Sequence, residues 1–113
     1  MKRDIPAPDV GLDAYQMDAM STAIYPKEKA FEYLVSGLSA ESGEVAGKFA
    51  KYWRGDKSIR YEQIADELGD VLWFIAALSK EMGIPLSDVA RANLYKLASR
   101  KERNALKGDG DNR

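Results

Sequence analysis

Two stretches of this chain carry apolar residues at helical spacing, and each breaks its apolar stripe with a carboxylate at the matching place. In the first, Leu34, Leu38, Val45 and Phe49 lie on one helical face, and Glu41 falls among them, three residues after Leu38 and four before Val45. In the second, Glu67 follows Ile64 by three and precedes Val71 by four. Residues three and four apart share a helix face, so both glutamates point with the core. Each has acidic company three residues on, Glu44 in the first helix and Asp70 in the second, roughly 5–6 Å away on the same face. Inward carboxylates are costly unless paired, protonated or bound to metal. One such pair alone reads as ordinary surface acids beside glycines; the repeat at matching stripe positions argues for two helices aiming their acids at a shared cation site.

The helical reading extends along the chain. Leu12 and Asp13 open a first helix, with Asp13 and Gln16 at capping-box spacing and Leu12 placed to staple onto Met17; Pro26 ends it. A second helix runs from Lys27 or Glu28 to Tyr52, with apolar positions 31, 34, 35, 38, 45, 49 and 52 in period. Gly37, Gly43 and Gly47 inside it suggest close approach by another backbone or a ligand, against the alternative of tolerated surface glycines. A third spans Tyr61 to Met82 and closes at Gly83, and Ser87 is placed to cap a fourth. The expected fold is all-α. Residues 1–11 form a loose arm, 12–106 one helical domain, and 107–113 a polar, glycine-rich tail expected to be disordered. Val71 to Leu78 is apolar on every side, so more than one of its faces must be covered, by a subunit interface, a ligand pocket or both.

Composition narrows the chemistry. With no cysteine and no histidine, the usual zinc site is excluded, and the oxygen ligands that remain favour Mg²⁺, with Mn²⁺ as substitute. The same absences remove histidine as a general base. A net charge of −1, with acids and bases interspersed, gives no whole-molecule argument for binding a nucleic acid polymer or a membrane. The start lacks the apolar core of a signal peptide, and no apolar run approaches the roughly 20 residues of a membrane span, so a cytoplasmic protein is expected.

Glu41-x-x-Glu44, 22 residues, then Glu67-x-x-Asp70 within Asp66-Glu67-Leu68-Gly69-Asp70-Val71-Leu72-Trp73 resembles the E-x-x-E…E-x-x-D signature of the MazG family. The likeness takes in Leu38-Ser39-Ala40 before the first pair and Asn93 to Arg100 after the second, about residues 30–104. The length is that of the compact single-domain members of bacteria and phages. The resemblance implies a four-to-five-helix bundle completed by oligomerisation, as homodimer or homotetramer. It also implies Mg²⁺-dependent hydrolysis of a (deoxy)nucleoside triphosphate to the monophosphate and pyrophosphate. Glu41, Glu44, Glu67 and Asp70 are the implied catalytic metal ligands, the alternative being that one glutamate orients the water instead. Where many family members carry a glutamate before the second pair, this chain has the shorter Asp66.

The remaining candidates carry two readings each. On the last helix Val89, Asn93, Lys96 and Arg100 follow at four, three and four; the basic end either suits the helix dipole or grips a polyphosphate, and the family resemblance implies the latter. Lys48 and Lys51 are exposed lysines or offset leaving-group charge. Trp73, with Phe74, Trp53 and Tyr95, is core or a wall for a nucleobase. The alternative for the whole chain is a non-catalytic interaction or nucleotide-sensing module holding a structural cation.

Overall fold

In the computed structural model the described residues are 9–104, 106–108 and 110. Four α-helices account for most of them: α1 (Leu12–Met20), α2 (Ala30–Trp53), α3 (Tyr61–Glu81) and α4 (Leu86–Glu102). A 3-10 turn at Lys27–Lys29 leads into α2, and there is no strand among the described residues. The all-α expectation holds. Residues 1–8 of the expected arm, and 109 and 111–113 of the expected tail, lie outside the described residues.

The central unit is the α2–α3 hairpin. Tyr52 meets Tyr61 at its tip with ring centroids 6.0 Å apart, Glu41 meets Glu67 and Asp70 midway, and Gly37 meets Phe74 further on. As the α2 number falls the α3 number rises, so the helices run antiparallel and in contact along most of their length. Leu34, Ala76 and Ala77 are fully buried between them and the α1–α2 turn, Leu34 alone contributing about 2 kcal/mol. The expected stripe is visible in the burial of α2: Leu34 is buried, and Leu38, Glu41, Val45 and Phe49 are half-buried. Phe31, Val35 and Tyr52, expected in the same core, stay exposed.

The helix ends depart from sequence expectation in an instructive way. α1 stops at Met20 rather than running to Pro26, because the Ser21 and Thr22 hydroxyls donate to the Asp18 and Ala19 carbonyls and close the helix early. Gly11 is its N-cap, with no side-chain cap, and Met17 is 73% exposed, so no staple forms on Leu12. Asp13 acts across space instead. Its carboxylate accepts from the Ser87 backbone N–H at 2.8 Å and the Ser87 hydroxyl at 2.7 Å, which holds it below the usual carboxylate range. Ser87 therefore sits inside α4, whose N-cap is Pro85, and its orphan N–H is satisfied from α1.

Gln16 is buried and ties three elements together. Its amide nitrogen donates to the Ala76 carbonyl at 3.1 Å and the Ile84 carbonyl at 3.3 Å, while its oxygen accepts from Leu86 N–H at 3.0 Å. Nearby, the Tyr25 hydroxyl donates to Glu81 at 2.6 Å. Burial first and this bond second push the Tyr25 phenol up to about 12, and the same bond holds Glu81 below its usual range. Because an unpaired buried polar group costs about 1–3 kcal/mol, Gln16→Leu, which strands the Leu86 N–H, should lower unfolding free energy by about 2–4 kcal/mol in urea titration. A loss under about 0.5 kcal/mol would show that the carboxamide does not hold α1, α3 and α4 together.

Candidate metal centre

Glu41 comes from the middle of α2, Glu67 and Asp70 from the facing turn of α3. Each offers a carboxylate oxygen, and the three oxygens lie within 4.8 Å of one another. Glu41 and Glu67 are half-buried and Asp70 is exposed, so the cluster sits at the mouth of the helix pair with one side open. At that spacing two carboxylates repel by about 1 kcal/mol at water's dielectric and about 3.5 kcal/mol at an effective dielectric of 20. Burial, then Asp70, Glu67 and Glu44 in that order, and a hydrogen bond shared with Glu67 push the Glu41 carboxyl above the ordinary carboxylate range. The fourth acid, Glu44, is exposed and stands one turn from Glu41, adding its charge from outside the three-oxygen set. Three carboxylates without a nitrogen or sulfur donor suit a hard divalent cation.

The sequence did not single out Tyr15, which the fold brings to the same place. Its half-buried phenol is pushed up by burial and then by the charge of Asp70. A lone tyrosine in a short helix carries no signal of this; its position depends on α1 packing on α3.

A groove of about 630 Å³ opens beside Glu41, a size typical of small-molecule sites. Tyr33, Gly37 and Glu41 follow at intervals of four along α2 and share one face, and Phe74 closes the other side from α3. Any side chain at position 37 would collide with the Phe74 ring. The α2 glycines were expected to admit another backbone or a ligand; at Gly37 it is an aromatic side chain that comes close instead, while Gly43 and Gly47 face open space. Tyr33 and Phe74 have ring centroids 6.0 Å apart at 40°, and Tyr33 is 47% exposed. Of the four aromatic residues considered as groove walls, Phe74 takes that position. Trp73 turns away, its indole N–H donating to the Ala19 carbonyl at 3.2 Å and the Thr22 hydroxyl at 3.0 Å. Trp53 packs on Phe49 near the hairpin tip and Tyr95 is exposed on α4.

The basic candidates are not gathered at the acids. Lys48 is half-buried one turn beyond Glu44, and Lys51 is exposed. α4 packs on α1 and α3 without touching α2. Asn93 and Lys96 are exposed and line a separate groove with Ile84, Asp88 and Val89. Arg100 is buried, donating to the Gly110 carbonyl at 3.5 Å. The expected single row of Asn93, Lys96 and Arg100 is therefore split between an open face and a buried contact.

Residues 29–104 match the MazG nucleotide pyrophosphohydrolase domain, two thirds of the chain. The chain belongs to this family. It is also 39% identical over 112 residues to the gene 37 protein of Mycobacterium phage L5, covering 90% of this chain and 98% of the relative. No solved structure matches. No helix among the described residues is long and apolar enough to cross a membrane.

If repulsion among these acids is the dominant force at the site, Glu41→Gln should raise the melting temperature of the metal-free protein by a few degrees, since about 1 kcal/mol moves a domain of this size by roughly 4–8 °C. Millimolar Mg²⁺ should stabilise the parent more than the variant. A variant that melts lower than the parent without metal would refute this account.

Proposed function

We propose that this MazG-family chain is an Mg²⁺-dependent pyrophosphohydrolase that converts (deoxy)nucleoside triphosphates to monophosphates and pyrophosphate. The observation that carries the reading is the convergence of Glu41, Glu67 and Asp70 beside a groove walled by Tyr33 and Phe74. Glu41, Glu67 and Asp70 would hold Mg²⁺, or Mn²⁺ in its place. A cation bound there supplies charge neutralisation and polarisation of the phosphoryl oxygens.

The chain's own residues do the rest. Phe74 and Tyr33 stack the base and fix the α-phosphorus near the acids, which lowers the entropic part of the barrier. Glu44, outside the three-oxygen set, would orient the attacking water and take its proton. Water oxygen bonds to the α-phosphorus, the bond from that phosphorus to the bridging oxygen breaks, and pyrophosphate leaves. Lys48 and Lys51 are the nearest cationic candidates along α2 to offset the leaving-group charge. Asn93, Lys96 and Arg100 reach a polyphosphate in this reading only through rearrangement of α4 or from a second copy.

Association is part of the proposal. Leu68 and Leu72 on α3, and Leu94 and Leu97 on α4, are exposed apolar pairs at helical spacing, a pattern that burial in a homodimer or homotetramer would relieve. Sedimentation equilibrium should return a species of at least two chains at micromolar concentration; a strict monomer would remove this part.

Incubation with Mg²⁺ and a panel of ribo- and deoxynucleoside triphosphates should release pyrophosphate and the monophosphate. Glu41→Gln and Asp70→Asn should each reduce kcat/KM at least about 100-fold, the scale of losing one charge-stabilising group, while the far-ultraviolet spectrum stays helical. Saturable binding with intact nucleotide recovered would instead identify a sensing module. Metal-dependent melting with neither binding nor turnover would identify a structural cation.

A further inference from the structure

The net charge of −1 averages over a local asymmetry. Lys48, Lys51, Arg54, Lys57 and Arg60 follow one another at intervals of three with Asp56 the one acid among them, so residues 48–61 carry +4 and the rest of the chain −5. These residues make up the tip of the α2–α3 hairpin. Lys51, Arg54, Lys57 and Arg60 are exposed, and of the five cations only Arg60 is in an ion pair among the described residues, with Glu62 at 3.3 Å. Asp56 is taken up by the turn itself. Its carboxylate accepts from the Ser58 N–H at 3.0 Å and the Ser58 hydroxyl at 2.7 Å, and its own N–H donates to the Lys51 carbonyl at 3.1 Å. Aromatic rings alternate with these charges. Tyr52 and Tyr61 meet across the turn with centroids 6.0 Å apart at 33°, and Trp53 packs on Phe49 at 5.6 Å and 41°. In each pair one ring stays open, Trp53 being 78% and Tyr61 68% exposed. A ring braced on its neighbour offers its free face without having to be ordered first.

We infer that the hairpin tip binds single-stranded nucleic acid, with its cations on the phosphates and the open faces of Trp53 and Tyr61 against unpaired bases. The inference is independent of the proposed reaction. Neutralisation of phosphates by Lys and Arg, combined with sequence-tolerant stacking on aromatic faces, is what binding a single strand requires. A duplex keeps its bases stacked on one another and leaves such rings unused. An anionic membrane fits less well, because anchoring at lipid needs apolar side chains below the headgroups, and Ile59, the one aliphatic residue from 51 to 61, is half-buried. The acids of the metal centre do not cancel the tip's charge. Glu41 lies ten residues before Lys51, about 15 Å along the helix axis, beyond the screening length of about 8–10 Å in physiological salt.

The test is fluorescence anisotropy of an end-labelled oligothymidylate about 12 nucleotides long, within the range of single-strand site sizes. EDTA is present so that no cation bridges the strand to Glu41, Glu67 and Asp70. The parent should bind with a slope of log affinity against log salt of about −2 to −3, the value for three or four phosphates at about 0.7 each. Arg54→Gln and Lys57→Gln should each flatten that slope by about 0.7. Trp53→Ala should weaken binding about tenfold, the scale of losing one stacked base, with the slope unchanged, and Tyr61→Ala should repeat the effect independently. Tyr95→Ala, which removes a comparably exposed ring on α4, should bind like the parent. Absence of binding by the parent, affinity that Trp53→Ala and Tyr61→Ala both leave unaltered, or an equal loss in Tyr95→Ala overturns the inference. Capture by phosphatidylserine vesicles without binding of the oligonucleotide also overturns it and assigns the tip to a lipid surface. So does sedimentation in which Trp53→Ala dissociates the chain while the parent leaves the oligonucleotide free, which assigns the tip to a contact between copies.

Discussion

Like charge brought together is the constraint around which this molecule is arranged. Glu41, Glu67 and Asp70 place oxygens within 4.8 Å, and like charges that close repel, the more so where the half-buried side of the cluster is shielded from water. A marginally stable domain tolerates such repulsion only if the surrounding packing holds the helices in register against it. The α2–α3 hairpin provides this. Tyr52 on Tyr61 sets the register at one end, Phe74 seated over Gly37 sets it beyond the acids, and the buried residues Leu34, Ala76 and Ala77 hold the far end. The acids lie between these fixed points and have no freedom to separate.

The other half of the molecule is held by polar ties. Gln16 joins α1 to the Ala76 carbonyl of α3 and to both sides of the α3–α4 turn, and Asp13 satisfies the Ser87 N–H in the first turn of α4. These bonds place α1, and α1 in turn places Tyr15 near Asp70 and supplies the Ala19 carbonyl that turns the Trp73 indole away from the groove. The family match begins at residue 29 and so leaves α1 outside it. Yet α1 decides which aromatic residue of α3 faces the groove. Trp73 and Phe74 are neighbours in sequence; the one with an N–H to satisfy packs toward α1, and the one without it is left for the groove wall.

The groove and the acids form a graded surface along α2. From Tyr33 through Gly37 to Glu41, one helix face passes from an aromatic residue, over a flat middle, to a carboxylate end. Under the proposed function, a nucleotide would lie along this face with its base on the aromatic side and its phosphates toward the acids. A helix is well suited to it, because residues at intervals of four present their side chains in a straight row at fixed separation.

By itself the sequence determined that the chain is all-helical, where α2 and α3 run to within about three residues, and which acids share a face, because these follow from periodicity within one helix. The family signature was legible for the same reason, being two short words each contained in a single helix. What only the tertiary structure decided was every matter involving partners distant in sequence. Asp13 reads locally as the cap of its own helix, yet its carboxylate bonds to Ser87, 74 residues away. Gln16 reads as half of a capping box and is instead a buried tie. Among three glycines of similar appearance, only Gly37 meets an aromatic ring. Arg100 reads as part of an open cationic row and is instead buried, with its guanidinium donating to the Gly110 carbonyl. Local spacing fixes the direction of a side chain about its own helix axis, but what waits in that direction depends on how the helices pack.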